Sequence, residues 1–284
     1  MSLISLLIAL AAERYLSSSA WQFNRYYCQY QRFFTRLSLA KYIKNNVVLT
    51  ALFILIPILV CYGLLSLVSD GLLHMLFSTI ILVVCFGCMT SRDRYKQYLI
   101  AAFRGEETTR EMHHKQLLQD KSLPDIGFGQ ALIWLNYRYF IAIMLFFVLF
   151  GATGALLYRL LTKVNEEANA EHNAQDNCCA SENEHQLVSK LLFYCDWLPV
   201  RIVSFGYMLV GHFSRALPTW LDNLFNLTKT PSQLLIDVAE KSEDFMVDKQ
   251  DCTAEPCLLV RLAKRTLLLC LATIALLILT GVID

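Results

Sequence analysis

Long apolar runs separated by polar stretches dominate the pattern of this 284-residue chain. Residues 47–68 supply about the 20 apolar positions that a helix needs to cross a bilayer. Pro57 and Gly63 fall inside that run and predict a kink without loss of the span. Ser69-Asp70-Gly71 reads as a tight turn, after which residues 72–89 return antiparallel. Residues 139–161, 187–210 and 267–283 complete the expected spans, the 187–210 run being the fourth. The apolar start, residues 1–12, is too short to cross and lacks a basic leader, so it predicts an interfacial helix packed against the bundle.

The fourth run is interrupted. It contains Cys195-Asp196-Trp197-Leu198-Pro199-Val200-Arg201, two ionisable groups flanking a proline. Placing a charge at the centre of a bilayer helix costs roughly 2.5–3.5 kcal/mol on insertion scales. Such residues serve either as a structural pair ordering a broken helix or as a functional site at depth. Pro199 removes a backbone bond near Cys195. Trp197 and Arg201 are four apart and share a face, which allows guanidinium–indole stacking. Asp196 and Arg201 are five apart and point in different directions in a regular helix. They meet only if the proline opens the turn; otherwise each needs a partner on another helix or an anionic ligand.

Between the spans, residues 90–138 and 213–265 read as folded helical loops. Tyr95, Leu99, Ala102 and Phe103 recur at helical spacing and Gly105 suits a C-terminal cap. Thr108 and Glu111 have capping-box spacing for the next helix. Thr230-Pro231 predicts a helix start, followed by an apolar stripe of Leu234, Leu235, Val238 and Ala239. Residues 162–186 form an acidic loop with Glu166, Glu167, Glu171, Asp176, Glu182 and Glu184. Basic residues concentrate elsewhere: Arg14, Arg25, Arg32, Arg36, Lys41 and Lys44 before the first span, against only Glu13, and Arg92, Arg94, Lys96, Arg104, Arg110, Lys115, Lys121 and Arg138 after the second. The positive-inside rule then puts residues 1–46 and 90–138 in the cytoplasm and the acidic loop outside. Lys264 and Arg265 belong in the cytoplasm only if the fourth run crosses. The expected fold is an all-α integral membrane protein, a single polytopic bundle of about five transmembrane helices, with the fourth broken at Pro199 and helical cytoplasmic loops.

Composition agrees: 56% of residues are hydrophobic and 17% charged, against about 45–50% and 25% in soluble domains. A formal net charge of +1 excludes nucleic acid as an expected partner. The ten cysteines are not a disulfide framework. Cys61, Cys85, Cys88 and Cys270 sit in apolar runs, so the Cys85-Phe-Gly-Cys88 spacing reads as packing. His172, Cys178, Cys179 and His185 are zinc-type ligands, but their spacing matches no common zinc pattern. No metal or cofactor is expected, and no catalytic residue is assigned. A P-loop, a His-Glu-x-x-His motif and a hydrolase triad are all missing from the sequence. Asn136, Arg138, Tyr158 and Arg159 bracket the third span, where interfacial and snorkelling roles account for them. Arg159 lies near a depth where an anion could sit. Gly151, Gly154 and Ala155 allow close helix approach.

These motifs carry a resemblance. Ala131-Leu-Ile-Trp-Leu-Asn-Tyr-Arg-Tyr139, Asp196-Trp-Leu-Pro-Val-Arg201, Gly211-His212 and Ala216-Leu-Pro-Thr-Trp220 resemble the AmpE family of Gram-negative inner-membrane proteins, over the full length. The resemblance implies a regulatory part in chromosomal β-lactamase induction, linked to muropeptide recycling. It implies sensing, in which an anionic small molecule or a cytoplasmic protein partner contacts Arg201 and Arg159. AmpE is in turn similar to cobalamin-pathway membrane synthases of the CobD/CbiB type. Gly151-Ala-Thr-Gly-Ala-Leu-Leu-Tyr-Arg159, with Asp196, Pro199 and Arg201, carries that second similarity. It implies joining an amino-alcohol phosphate to a corrinoid carboxylate, with Asp196 on a metal and Arg201 on phosphate. Those enzymes continue with Asn-Thr-Leu-Asp, where this chain has Thr162-Lys-Val-Asn165.

Overall fold

A computed structural model of the chain describes residues 2–15, 21–36, 46–68, 71–86, 89–174, 182–243 and 253–281. Among them every regular element is helical. They form two compact units, one comprising Met1–Cys88, Ile143–Leu192 and Leu277–Asp284, the other Met89–Ala142 and Phe193–Leu276.

In the first unit, α1 (Ser2–Tyr15) packs on α4 (Gly71–Cys85), burying Leu6 and Ala9. The amphipathic α2 (Phe23–Arg36) buries Phe23, Tyr27 and Phe34. Phe53 of α3 (Asn46–Leu67) lies 5.7 Å from the Tyr27 ring, 4.7 Å from Tyr30 and 5.1 Å from Phe34, centroid to centroid. Such ring clusters add about 0.5–1.5 kcal/mol per pair beyond area burial. As expected, α3 continues through Pro57.

The third expected span departs most from the sequence reading. Its helix, α8 (Ala142–Ala174), is bent at Gly151, whose φ of 68° and ψ of −162° are open essentially to glycine alone. In a straight helix Phe146 and Tyr158 would be about 18 Å apart along the axis. Their rings instead stack with centroids 4.7 Å apart. A Cβ at Gly154 would lie 2.7 Å from the Phe146 carbonyl oxygen, which only a sharp reversal allows. The 139–161 run is therefore no single straight span. Beyond the bend the helix continues to Ala174 and takes in the first part of the expected acidic loop; Glu166 is buried. Cys178 and Cys179, with the side chains of His172 and His185, lie outside the described residues, as do Ser69-Asp70 and Cys88.

In the second unit, α5 (Met89–Phe103) ends at Gly105 with φ of +71°. The Gly105 N–H donates to the Ala102 carbonyl at 3.1 Å and the Glu106 N–H to Ala101 at 3.0 Å, the Schellman closure Gly105 suggested. Because that closure is complete at Glu106, α6 (Glu107–Asp120) starts at once, with no side-chain cap. The Thr108–Glu111 capping box is thus corrected: both residues are already inside the helix. α7 (Phe128–Asn136) begins well before the expected start at 139 and passes into a π-helical turn, Tyr137–Ile141. There Tyr137, Arg138 and Tyr139 are buried inside the protein.

The break expected at Pro199 is absent: α9 (Glu182–Val210) is continuous through it. The real interruption falls at Gly151. α10 (Phe213–Asn223) and α11 (Pro231–Ser242) pack on each other. Thr230 caps α11 by accepting the Gln233 N–H at 3.4 Å, and Leu234, Leu235, Val238 and Ala239 are buried, as the stripe predicted. α12 (Ala254–Leu279) starts earlier than expected, so Lys264 and Arg265 sit within it, exposed.

Three described helical runs are long and apolar enough to cross a membrane: Val47–Leu67, Phe128–Ala170 and Ala254–Leu279. Gly71–Cys85 is apolar but shorter, and residues 187–210 fall outside the three.

Candidate functional site

The site centres on Asp196, which is 2% exposed on the inward face of α9 together with Val188, Leu192, Val200, Val203 and Tyr207. The π-helical turn supplies its partners. Widening the helix by one residue re-aims the side chains that follow, and such turns frequently mark functional positions. Here it brings the Tyr137 hydroxyl to donate to Asp196 Oδ1 at 2.8 Å. It also places Arg138 Nη2 3.9 Å from Oδ2. The Arg138 guanidinium lies 5.0 Å over the Trp134 ring, and Trp134 stacks on Tyr137 at 5.2 Å. Asn136 begins this turn with its Oδ1 buried and without a hydrogen-bond partner among the described residues.

Arg201 takes a different path, as the five-residue offset predicted. Its guanidinium stacks on Trp197 at 4.0 Å. Nη1 donates to the Trp197 carbonyl at 2.8 Å, two residues before Pro199. Nη2 donates to the Asn226 carbonyl at 2.9 Å and reaches that of Asn223 at 3.5 Å, while Nε donates to the carbonyl of Leu224. The backbone past the end of α10 thus receives its donors from this one side chain. All three guanidinium nitrogens of Arg201 bind carbonyl oxygens, so an anion would have to displace protein acceptors. Trp197 itself has a buried Nε1 without a partner among the described residues.

Tyr158 and Arg159 belong to the first unit. Tyr158 is fully buried against Phe146, and its carbonyl accepts the Thr162 hydroxyl at 2.8 Å. Arg159 lies 5.1 Å over the Phe23 ring. One turn on, Lys163 Nζ stands 3.9 Å from Glu166 and 3.7 Å from Glu167, and the Tyr27 hydroxyl donates to Glu167 at 2.9 Å. Asn165 Oδ1 is buried without a hydrogen-bond partner among the described residues. Sequence reasoning placed Glu166 and Glu167 in solvent and missed this group. Tyr158, Thr162 and Asn165, four and three apart, were the signal that the helix continues.

The structure thus joins Asp196 to Arg138 and to Tyr137, a partner that no sequence spacing links to it. It stacks Arg201 on Trp197 and binds its guanidinium to the carbonyls at the tip of α10.

A family model described as "Regulatory signalling modulator protein AmpE" matches residues 1–283. A protein AmpE of Shigella flexneri is 26% identical over 212 residues, 70% of this chain and 72% of that protein. No solved structure matches the chain significantly. The similarity to cobalamin-pathway synthases is not among these matches.

Proposed function

The chain belongs to the AmpE family, and from that premise we propose that it is a multi-pass inner-membrane modulator that tunes β-lactamase induction in step with muropeptide recycling. The observation that carries the mechanism is the buried carboxylate of Asp196 held by the Tyr137 hydroxyl across a π-helical turn. The ion pair beside it is long, 3.9 Å from Arg138 to Asp196. Arg138 sits one residue inside that turn, so an anionic small molecule or an acidic partner segment that attracts it would loosen the contact. Relaxing a π-helical turn to regular helix shifts the register of everything before it. The covalent continuity of α7 then carries the change toward the basic, helical loop of residues 90–127.

A multi-pass path includes α9. Its outward face carries Leu187, Leu191, Tyr194, Leu198, Ile202, Phe205 and Leu209, all exposed and all apolar or aromatic. Spaced three and four apart, they form one stripe about 33 Å long, close to the hydrocarbon thickness. Asp196 points away from it, and Arg201, at its edge, is buried with its guanidinium bound to backbone carbonyls, so neither charge stands bare against a crossing.

Tyr137→Phe and Arg138→Gln, expressed in a strain with inducible β-lactamase, test the reading. Altered induction at unchanged membrane abundance is expected. Wild-type induction by both variants at wild-type abundance overturns it.

A further inference from the structure

We infer that residues 213–242 form a re-entrant helical hairpin that dips into the bilayer beside α9, with its tip seated on Arg201 and with Phe225 and Leu227 presented to lipid acyl chains. The inference rests on the reading of α9 as a span.

Both ends of the hairpin are fixed. At its base, the His212 N–H donates to the Ser242 carbonyl at 2.7 Å, so the first and last residues of the two helices meet. Gly211 makes that approach possible, since a Cβ there would collide with the Ser242 carbonyl. From the base, α10 runs back along α9. Phe213 contacts Phe205 with ring centroids 6.4 Å apart, Trp220 lies 5.5 Å from Phe205, and the Trp220 Nε1 donates to the Arg201 carbonyl at 3.2 Å. The chain turns at 224–230 and returns as α11.

Arg201 lies about 13 Å along α9 from its end at Val210, inside the apolar outward stripe. The turn it holds is at the same level. At such depth water cannot satisfy backbone groups, and irregular backbone survives only where protein supplies the partners. The turn meets part of that demand. The carbonyls of Asn223, Leu224 and Asn226 accept from Arg201, and the Asn226 side chain accepts the Thr228 N–H at 2.9 Å and its hydroxyl at 2.6 Å. A helix C-terminus also favours a cation. Among the exposed polar side chains of Asp222, Asn226 and Thr228, the turn also displays two bare apolar ones: Phe225 is 82% exposed and Leu227 62%. An internal arginine cap and two bare apolar side chains fit a turn that faces lipid. The apolar positions Phe213, Leu217, Leu221 and Phe225, each four apart, continue the same face along α10.

The test is site-directed spin labelling of the full chain, its native cysteines replaced, in phospholipid vesicles. Single labels go at Phe225→Cys and Leu227→Cys on the tip, Ser214→Cys near the base and Ile202→Cys on the outward face of α9. Collision with dissolved oxygen reports lipid, and collision with a water-soluble nickel chelate reports water. The expected result is that the tip labels lose nickel contact and gain oxygen contact as Ile202→Cys does, while Ser214→Cys keeps nickel contact. Adding Arg201→Gln should then raise the mobility of the Phe225→Cys label. Nickel contact at the tip with Ile202→Cys still in lipid overturns the hairpin and leaves α9 as a span. Nickel contact at Ile202→Cys as well overturns both. An unchanged tip spectrum with Arg201→Gln overturns the cap.

Discussion

Replacing Gly151 by alanine isolates the bend that separates this structure from a simple row of spans. Nothing lies within 4 Å of a Cβ built at Gly151, so the substitution adds no collision. Its whole effect comes from the backbone, where φ of 68° with ψ of −162° is strained for any other residue. That strain is about 1–3 kcal/mol. Alanine also favours an unbent helix over glycine by about 1 kcal/mol. The two effects have the same sign, so the equilibrium between bent and straight forms should shift by about 2–4 kcal/mol toward straight. The assay is a short bifunctional thiol crosslinker on Phe146→Cys with Tyr158→Cys, whose native rings stack at 4.7 Å. With Gly151 present the pair should crosslink efficiently. With Gly151→Ala the yield should fall and the purified protein should melt earlier. Full crosslinking and an unchanged melting temperature in Gly151→Ala would show that the reversal does not depend on glycine, and the conformational argument would be wrong.

Two other substitutions probe packing in the second unit. Gly211→Ala drives a Cβ into the Ser242 carbonyl and displaces the His212 bond; a loss of about 1–3 kcal/mol is expected in chemical denaturation, and a loss below a few tenths would contradict the close approach. Tyr207 is fully buried with its hydroxyl lacking a partner among the described residues, so Tyr207→Phe should be neutral or stabilising by about 1 kcal/mol. Destabilisation by that amount would reveal a partner for the hydroxyl.

The apolar runs made the helical, membrane-type architecture plain, because a 3.6-residue period and run length are local properties. The same holds for the Gly105 closure, the Thr230-Pro231 start and the stacking of Arg201 on Trp197, each settled within one or two turns of chain. What failed was long-range. Pro199 looked like the breaker because proline always removes a donor, yet the helix runs through it. Gly151 looked like a packing residue because glycine's positive φ leaves no mark in sequence. Tyr137, Arg138 and Tyr139 looked interfacial by composition, and the π-helical turn that buries them comes from a tertiary demand, the carboxylate of Asp196 fifty-nine positions away from Tyr137. The acceptors of Arg201, the carbonyls near Asn223 and Asn226, are backbone groups and carry no sequence signature.

The account depends on Asp196 and Arg138 acting on each other inside the protein. A double-mutant cycle of Asp196→Asn, Arg138→Gln and the pair, read as unfolding free energy in detergent, measures this directly. Each single change removes one member of a buried ion pair and should cost about 3–5 kcal/mol, while the double variant should lose at least 1 kcal/mol less than the summed singles, about the low end for contacting residues. Additivity to within about 0.5 kcal/mol would mean the two side chains do not interact, and the proposed signalling centre would fall with them.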